Sequence, residues 1–139
     1  MKKLRTIGRQ DVVNLPEFDL QNVQAKVDTG AYTSSIHCTN VKLQDGILLF
    51  TIPIGGKKVY KKEKFITKKI RSSNGKSEHR YVITSNIQLF GKIYKINFSL
   101  SDRSKMKNPI LIGRRFLKNK FLVDVAEKNL SFEHKSPFS

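Results

Sequence analysis

Val23-Gln24-Ala25-Lys26-Val27-Asp28-Thr29-Gly30 alternates apolar and polar side chains up to a carboxylate and then turns. A period of two marks a half-buried strand, because successive side chains point to opposite faces. Gly30 follows where a backbone must turn tightly, and the small residues Ala31, Thr33, Ser34 and Ser35 precede Ile36. A carboxylate at the end of a strand, in a loop of small residues, can approach a partner without steric obstruction. Close approach is what a pair of acid-base carboxylates needs. Asp-Thr-Gly alone is weak, since Asp and Gly are ordinary turn residues, and the competing reading of Asp28 is an Asx-turn cap on a hairpin.

On both sides of this strand, short runs of Val, Ile, Phe, Leu and Tyr are broken by Gly, Asn, Asp and Pro, which predicts an all-β domain. Val41-Lys42-Leu43 and Ile47-Leu48-Leu49-Phe50 flank Asp45-Gly46, a pair suited to a tight hairpin. Gly55-Gly56 supplies a second turn, and the lysine-dense Lys57 to Lys69 reads as one exposed or edge strand, where lysine also discourages unwanted pairing. Arg71 to Arg80 reads as a long hairpin with an Asn74-Gly75 tip, and Gln88 to Leu100 as two alternating strands around Gly91. Ile110-Leu111-Ile112 is apolar throughout, as in a strand buried on both faces. Gly113 to Lys118 is the one short helix expected, Phe121 to Val125 a further strand, and Asn129 to Phe132 the closing element.

The 139 residues suffice for one domain with its own core, so residues 1–139 are read as a single domain with 133–139 a loose tail. No apolar run approaches the roughly 20 residues needed to cross a bilayer, which argues against a membrane partner. The opening Met-Lys-Lys-Leu-Arg-Thr-Ile-Gly-Arg lacks the apolar centre of a secretory signal, and the lone Cys38 needs no oxidising compartment, so a cytoplasmic setting is expected. The net charge of +16 admits three readings: a solvated surface, a nucleic-acid surface, or attraction of an acidic protein. Aromatic residues are not clustered as in RNA-recognition modules, which ranks nucleic acid below an acidic protein.

Lys26-Val27-Asp28-Thr29-Gly30-Ala31, followed late in the chain by Ile110-Leu111-Ile112-Gly113-Arg114-Arg115-Phe116-Leu117, resembles the paired signature of retropepsin-like aspartic peptidases. The resemblance implies an acid-protease barrel with one short C-terminal helix. More narrowly, Ile7-Gly8-Arg9, Leu15-Pro16, Ala31 through His37, Arg71 through Gly75, Arg80 through Ile83 and Asp102 through Met106 are similar to a bacterial branch labelled ATP-dependent zinc proteases. The residues argue against that label. No His-Glu-x-x-His and no P-loop is present, and His37, His79 and His134 are scattered, so neither zinc, ATP nor another cofactor is expected. His37 and Cys38 read as a structural pair rather than metal ligands.

By resemblance, Asp28 is the catalytic carboxylate, Thr29 bridges two loops and Gly30 offers backbone groups to substrate. Asp102 and Asp124 lack a following Thr/Ser-Gly, so the second aspartate must come from another copy, and a homodimer is implied. Ala31, Arg71, Arg80 and Arg114 are the candidate substrate-binding residues, within a wider basic pool of Lys61, Lys62, Lys76, Arg103 and Arg115. Viral retropepsins carry acidic residues where Tyr32 and Thr33 stand here, so Arg114 is left to pair with Glu78 or Asp102 or to face an acidic substrate. The Arg71–Arg80 hairpin is the candidate flap, with a plain surface hairpin as the alternative. The bacterial branch is associated with glutamate ligases that add tails to a ribosomal protein, which implies trimming of such acidic tails. The competing function is a non-catalytic basic module that binds acidic protein or RNA.

Overall fold

Strands form wherever the alternation is clear, and their order is set by which faces must be buried together. The computed structural model describes residues 3–71, 75 and 77–134. Strands make up 57% of it and helices 9%, so the protein is all-β. In chain order the elements begin with β1 (Arg5–Ile7), β2 (Gln10–Leu15), a 3-10 turn (Pro16–Phe18), β3 (Leu20–Asp28) and β4 (Ser34–His37). Next come β5 (Thr39–Gln44), β6 (Ile47–Ile52), β7 (Lys58–Lys62), β8 (Ile66–Arg71), β9 (Ser77–Leu89) and β10 (Lys92–Ser101). The chain continues with β11 (Ile110–Gly113), α1 (Arg114–Leu117), β12 (Phe121–Val123) and α2 (Leu130–Glu133).

Six of these strands close on themselves as β10-β4-β11-β3-β2-β9 and back to β10, with β8 added outside β9. Closure removes the exposed edges an open sheet would leave. Every second residue of β3, namely Val23, Ala25 and Val27, is buried, and these meet Ile36, Ile83, Ile87, Ile96, Phe98, Ile110 and Ile112 in one core. β11 lies between β3, to which it runs parallel, and β4, to which it runs antiparallel. Ile110 and Ile112 are fully buried there, but Leu111 on the opposite face is half-buried, so the strand is not covered on both faces as the apolar triplet predicts. A separate three-stranded sheet, β5-β6-β7, is joined to the barrel through Phe18, Phe50 and Tyr60, whose hydroxyl donates to the Phe18 carbonyl at 3.0 Å.

The hairpin turns fall where expected. Asp45 and Gly46 have φ of 52° and 78°, and Phe90 and Gly91 have 52° and 73°; each pair has the positive φ angles of a tight two-residue hairpin. Several expectations need correction. Lys57 to Lys69 is two strands in two different sheets, β7 and β8, because the chain leaves one sheet for the other around Glu63 to Phe65. Residues 5–15 carry two strands that the alternation did not single out. The closing element is a second short helix, α2, where only one helix was expected, and Glu133 belongs to it rather than to a loose tail; residues 135–139 of the expected tail lie outside the described residues.

A four-residue helix has no stability of its own, and Asp11 supplies what holds α2 in place. This carboxylate is completely buried and accepts N–H bonds from Ser131 at 2.9 Å and Phe132 at 3.2 Å, besides Val12 at 2.7 Å. Burial pushes the Asp11 carboxyl above its usual value, while the three backbone donors pull it back. Asp11→Ala would strand those donors, and a stability loss of about 2–4 kcal/mol is expected in urea unfolding.

Candidate active site

The Asp28 loop begins where β3 leaves the barrel. In the β3–β11 ladder the last paired residues are Asp28 and Gly113, so the two halves of the signature stand directly opposite one another. Asp28 is half-buried, and its Oδ1 accepts the Gly30 N–H at 2.9 Å, while Ala31 N–H returns to the Asp28 carbonyl at 3.2 Å. The Asx-type turn is therefore present, and it orients the carboxylate. Arg114 and Arg115 donate their backbone N–H groups to the carbonyls of Ala31 and Tyr32 at 2.8 and 3.0 Å, and Gly113 N–H donates to the buried Ser34 Oγ at 3.0 Å. Small residues after Asp28 let β11 and α1 come this close.

Arg114 does not pair with Asp102, one of the two carboxylate partners weighed from sequence. Its Nη1 donates to the Gly30 carbonyl at 3.1 Å and reaches the Thr29 carbonyl at 3.5 Å, and its guanidinium lies 5.3 Å from the centre of the Tyr32 ring. Asp102 is taken up elsewhere: Oδ1 accepts the Ser104 N–H at 2.9 Å, which holds its carboxyl below the usual range together with the Ser104 hydroxyl. The side chain of Glu78 lies outside the described residues. Tyr32 presents its ring face to Arg114, Arg115 and Lys68.

The structure brings Arg103 to the site as well. Its backbone N–H donates to His37 Nδ1 at 2.8 Å, and Asp102 Oδ1 lies 3.8 Å from the same nitrogen. The Arg103 side chain turns inward, donating from Nε to the Asn108 carbonyl at 3.0 Å and from Nη1 to Ser35 Oγ at 3.3 Å. Burial pulls this guanidinium below its usual value, the negative charge of Asp28 opposes the shift, and Arg103 shares a cleft with Ala31 and Thr33 of the Asp28 loop. Cys38 is buried, and its thiol is pushed up to about 12 by burial, so it is an inert core residue. Among the described residues no group of three His, Cys, Asp or Glu side chains comes together as a metal site.

Of the other basic candidates, Lys62 pairs with Glu17 in the separate sheet's neighbourhood, and Arg71 ends β8 with its side chain outside the described residues, as is Lys76. Arg80 stands opposite Lys68 in the β8–β9 ladder, and both line a cleft with Ala31 and Arg103. The base of the proposed flap hairpin thus lies beside the Asp28 loop, whereas residues 72–74 of its tip lie outside the described residues. Lys68 was not singled out by sequence because it sits in a lysine-rich edge; its pairing opposite Arg80 is a long-range consequence of the hairpin register.

A closed barrel with an Asp-Thr-Gly loop locked against a Gly-Arg segment defines a retropepsin-like protein. A family model described as "Retropepsin-like aspartic endopeptidase RimB" matches residues 55–134, and the chain belongs to this RimB-like family. That match includes β11 and Arg114 but not Asp28. The chain is also 36% identical over 130 residues to a probable alpha-L-glutamate ligase of Shewanella pealeana and 30% identical over 131 residues to one of Desulfotalea psychrophila. These alignments cover 87% and 88% of this chain but 28% of each relative, so the chain spans about a quarter of their length. The crystal structure of a Legionella pneumophila protein of unknown function shares the fold, with a TM-score of 0.76, 24% identity, and coverage of 93% of this chain and 99% of that one.

Proposed function

We propose that the chain is one half of a dimeric aspartic endopeptidase, in which Asp28 of each copy contributes one carboxylate. The observation that carries this reading is the pairing of Asp28 with Gly113 at the end of the β3–β11 ladder, in a chain of the RimB-like family. Neither Asp102 nor Asp124 is followed by Thr/Ser-Gly, and in this reading a second copy is the source of the other carboxylate. A two-fold axis past the Asp28 loops would bring identical residues face to face. Two carboxylates at hydrogen-bond distance share one proton. The ionised member then takes a proton from water, the protonated one donates to the scissile carbonyl, and no acyl-enzyme forms. Exposed Thr29 would meet its counterpart across the axis, and Gly30 would present backbone groups to the substrate.

The substrate in this reading is an acidic protein tail, such as a poly-glutamate extension on a ribosomal protein, met in the cytoplasm. Support comes from the cations beside the loop that follows Asp28, namely Arg103, Lys68, Arg80 and Arg114, and from relatives named as glutamate ligases. Ala31, beside these cations, would contact the substrate backbone. Hydrolysis of a glutamate-tailed peptide, followed by mass spectrometry across a dilution series, tests the proposal. Activity per chain should fall on dilution in step with the dimer fraction measured by sedimentation. Activity that stays constant per chain where the protein is wholly monomeric would overturn the shared site, and peptide binding without hydrolysis would favour a binding module.

A further inference from the structure

Beside the Asp28 loop lies a cleft of about 200 Å³ whose lining includes Lys68, Arg80, Arg103, Thr33, Ser35 and Ser99, with no acidic side chain among the described residues that line it. The volume is below the usual range of roughly 300–1,000 Å³ for sites that enclose a whole small molecule, so it suits a single side chain. Several elements build it. Lys68 comes from β8 and its Nζ reaches Thr33 Oγ1 at 3.4 Å; Ser99 and Ser35 are register partners on β10 and β4; Arg103 arrives from the loop after β10. A guanidinium has five N–H donors, and Arg103 commits Nε and Nη1 to Asn108 and Ser35, which leaves its Nη2 group for a ligand.

Ser99 adds a second, independent observation. It is 6% exposed, and its Oγ is buried without a hydrogen-bond partner among the described residues, although it lines this cationic cleft. A buried hydroxyl without a partner costs stability that a core would ordinarily avoid. A carboxylate can accept from the ammonium, the guanidinium and the hydroxyl at once, whereas an amide offers one acceptor oxygen and places an NH2 against cations. We propose that Lys68, Arg103 and Ser99 form a subsite for a glutamate-type carboxylate of the substrate adjoining the bond that faces Asp28. This rests on the peptidase reading for its placement relative to the scissile bond, but its ligand preference stands on the cleft alone.

The test measures binding and hydrolysis separately. A fluorescent peptide ending in four glutamates and its glutamine counterpart are titrated against the Asp28→Asn protein, alone and combined with Lys68→Gln, Ser99→Ala or Lys42→Gln. Lys42, exposed on the separate three-stranded sheet, removes the same charge away from the cleft. The ratio of affinities for glutamate over glutamine should fall about tenfold with Lys68→Gln, the size of one charge-assisted hydrogen bond. It should fall several-fold with Ser99→Ala, which removes the hydroxyl without altering charge, and hold with Lys42→Gln. Equal losses for Lys68→Gln and Lys42→Gln, or an unchanged ratio in both cleft variants, would overturn the subsite. If the parent protein cleaves neither peptide while the ratio responds as stated, the peptidase reading fails and the carboxylate site stands. If the parent cleaves the glutamate peptide and the ratio does not respond to the cleft variants, the subsite fails and the peptidase reading stands.

Discussion

Asp28→Asn should abolish peptide hydrolysis, by about a thousandfold or more, while leaving the fold intact. A factor of that size is about 4 kcal/mol of transition-state stabilisation, within the range for losing a general acid-base group. The asparagine is nearly the same shape, and its carbonyl oxygen can still accept the Gly30 N–H that Asp28 Oδ1 accepts at 2.9 Å. Asp28 is only half-buried, so unfolding stability should change by no more than about 1 kcal/mol. What the amide cannot do is hold or release the shared proton. The dimeric reading adds a second consequence, because a mixed pair has one carboxylate and one amide. In an equal mixture that exchanges freely, half the partners of each wild-type chain are inactive, and activity per wild-type chain should fall to about half. Progress curves on a glutamate-tailed peptide measure both effects; a variant that cleaves like the parent would remove Asp28 from the mechanism.

The legible part of this molecule was local. Alternation in Val23 to Val27, the Asp45-Gly46 and Gly91 turns, the apolar triplet Ile110 to Ile112 and the short helix after Gly113 each express a neighbour-scale preference, and each gives the strand, turn or helix expected. Long-range geometry was not legible. Arg103 joins the cleft beside the Asp28 loop with its backbone N–H held by His37 Nδ1, and no spacing in the sequence carries that bond. Arg114 was given candidate carboxylate partners because charge invites charge, yet it bonds the Gly30 carbonyl, a donor-acceptor match that a residue list does not display. β7 and β8 merged in the sequence because both are lysine-rich; their separation into two sheets follows from pairing with β6 and β9. α2 was hidden for the same reason, since its supporting acceptor, Asp11, lies far away in β2.

Gly113→Ala should cost both stability and activity, and for a reason unconnected with backbone freedom. Gly113 has φ of −93° and ψ of 170°, an extended conformation open to any residue. Space is what excludes a side chain: a Cβ there would sit 2.8 Å from the Tyr32 carbonyl oxygen, 2.9 Å from that of Ala31 and 2.9 Å from the Thr33 carbonyl carbon. All three are backbone atoms of the Asp28 loop, so the contact cannot be relieved by a rotamer change. The loop would have to retreat, lengthening the bonds from Arg114 and Arg115 N–H to Ala31 and Tyr32. Overpacking of this kind costs about 1–3 kcal/mol, and each weakened hydrogen bond adds about 1 kcal/mol, so a loss of about 2–4 kcal/mol is expected in urea unfolding. The effect on hydrolysis should be the larger, because a displacement of about 1 Å at the reacting groups can cost about a hundredfold, and Asp28 is the ladder partner of Gly113. Gly46→Ala separates the two causes. Gly46 has φ of +78° with nothing within 4 Å of the added carbon, so its replacement should cost about 1 kcal/mol through backbone strain and leave hydrolysis per folded chain unchanged. Equal activity in the two folded variants would mean that close packing at Gly113 does not position Asp28.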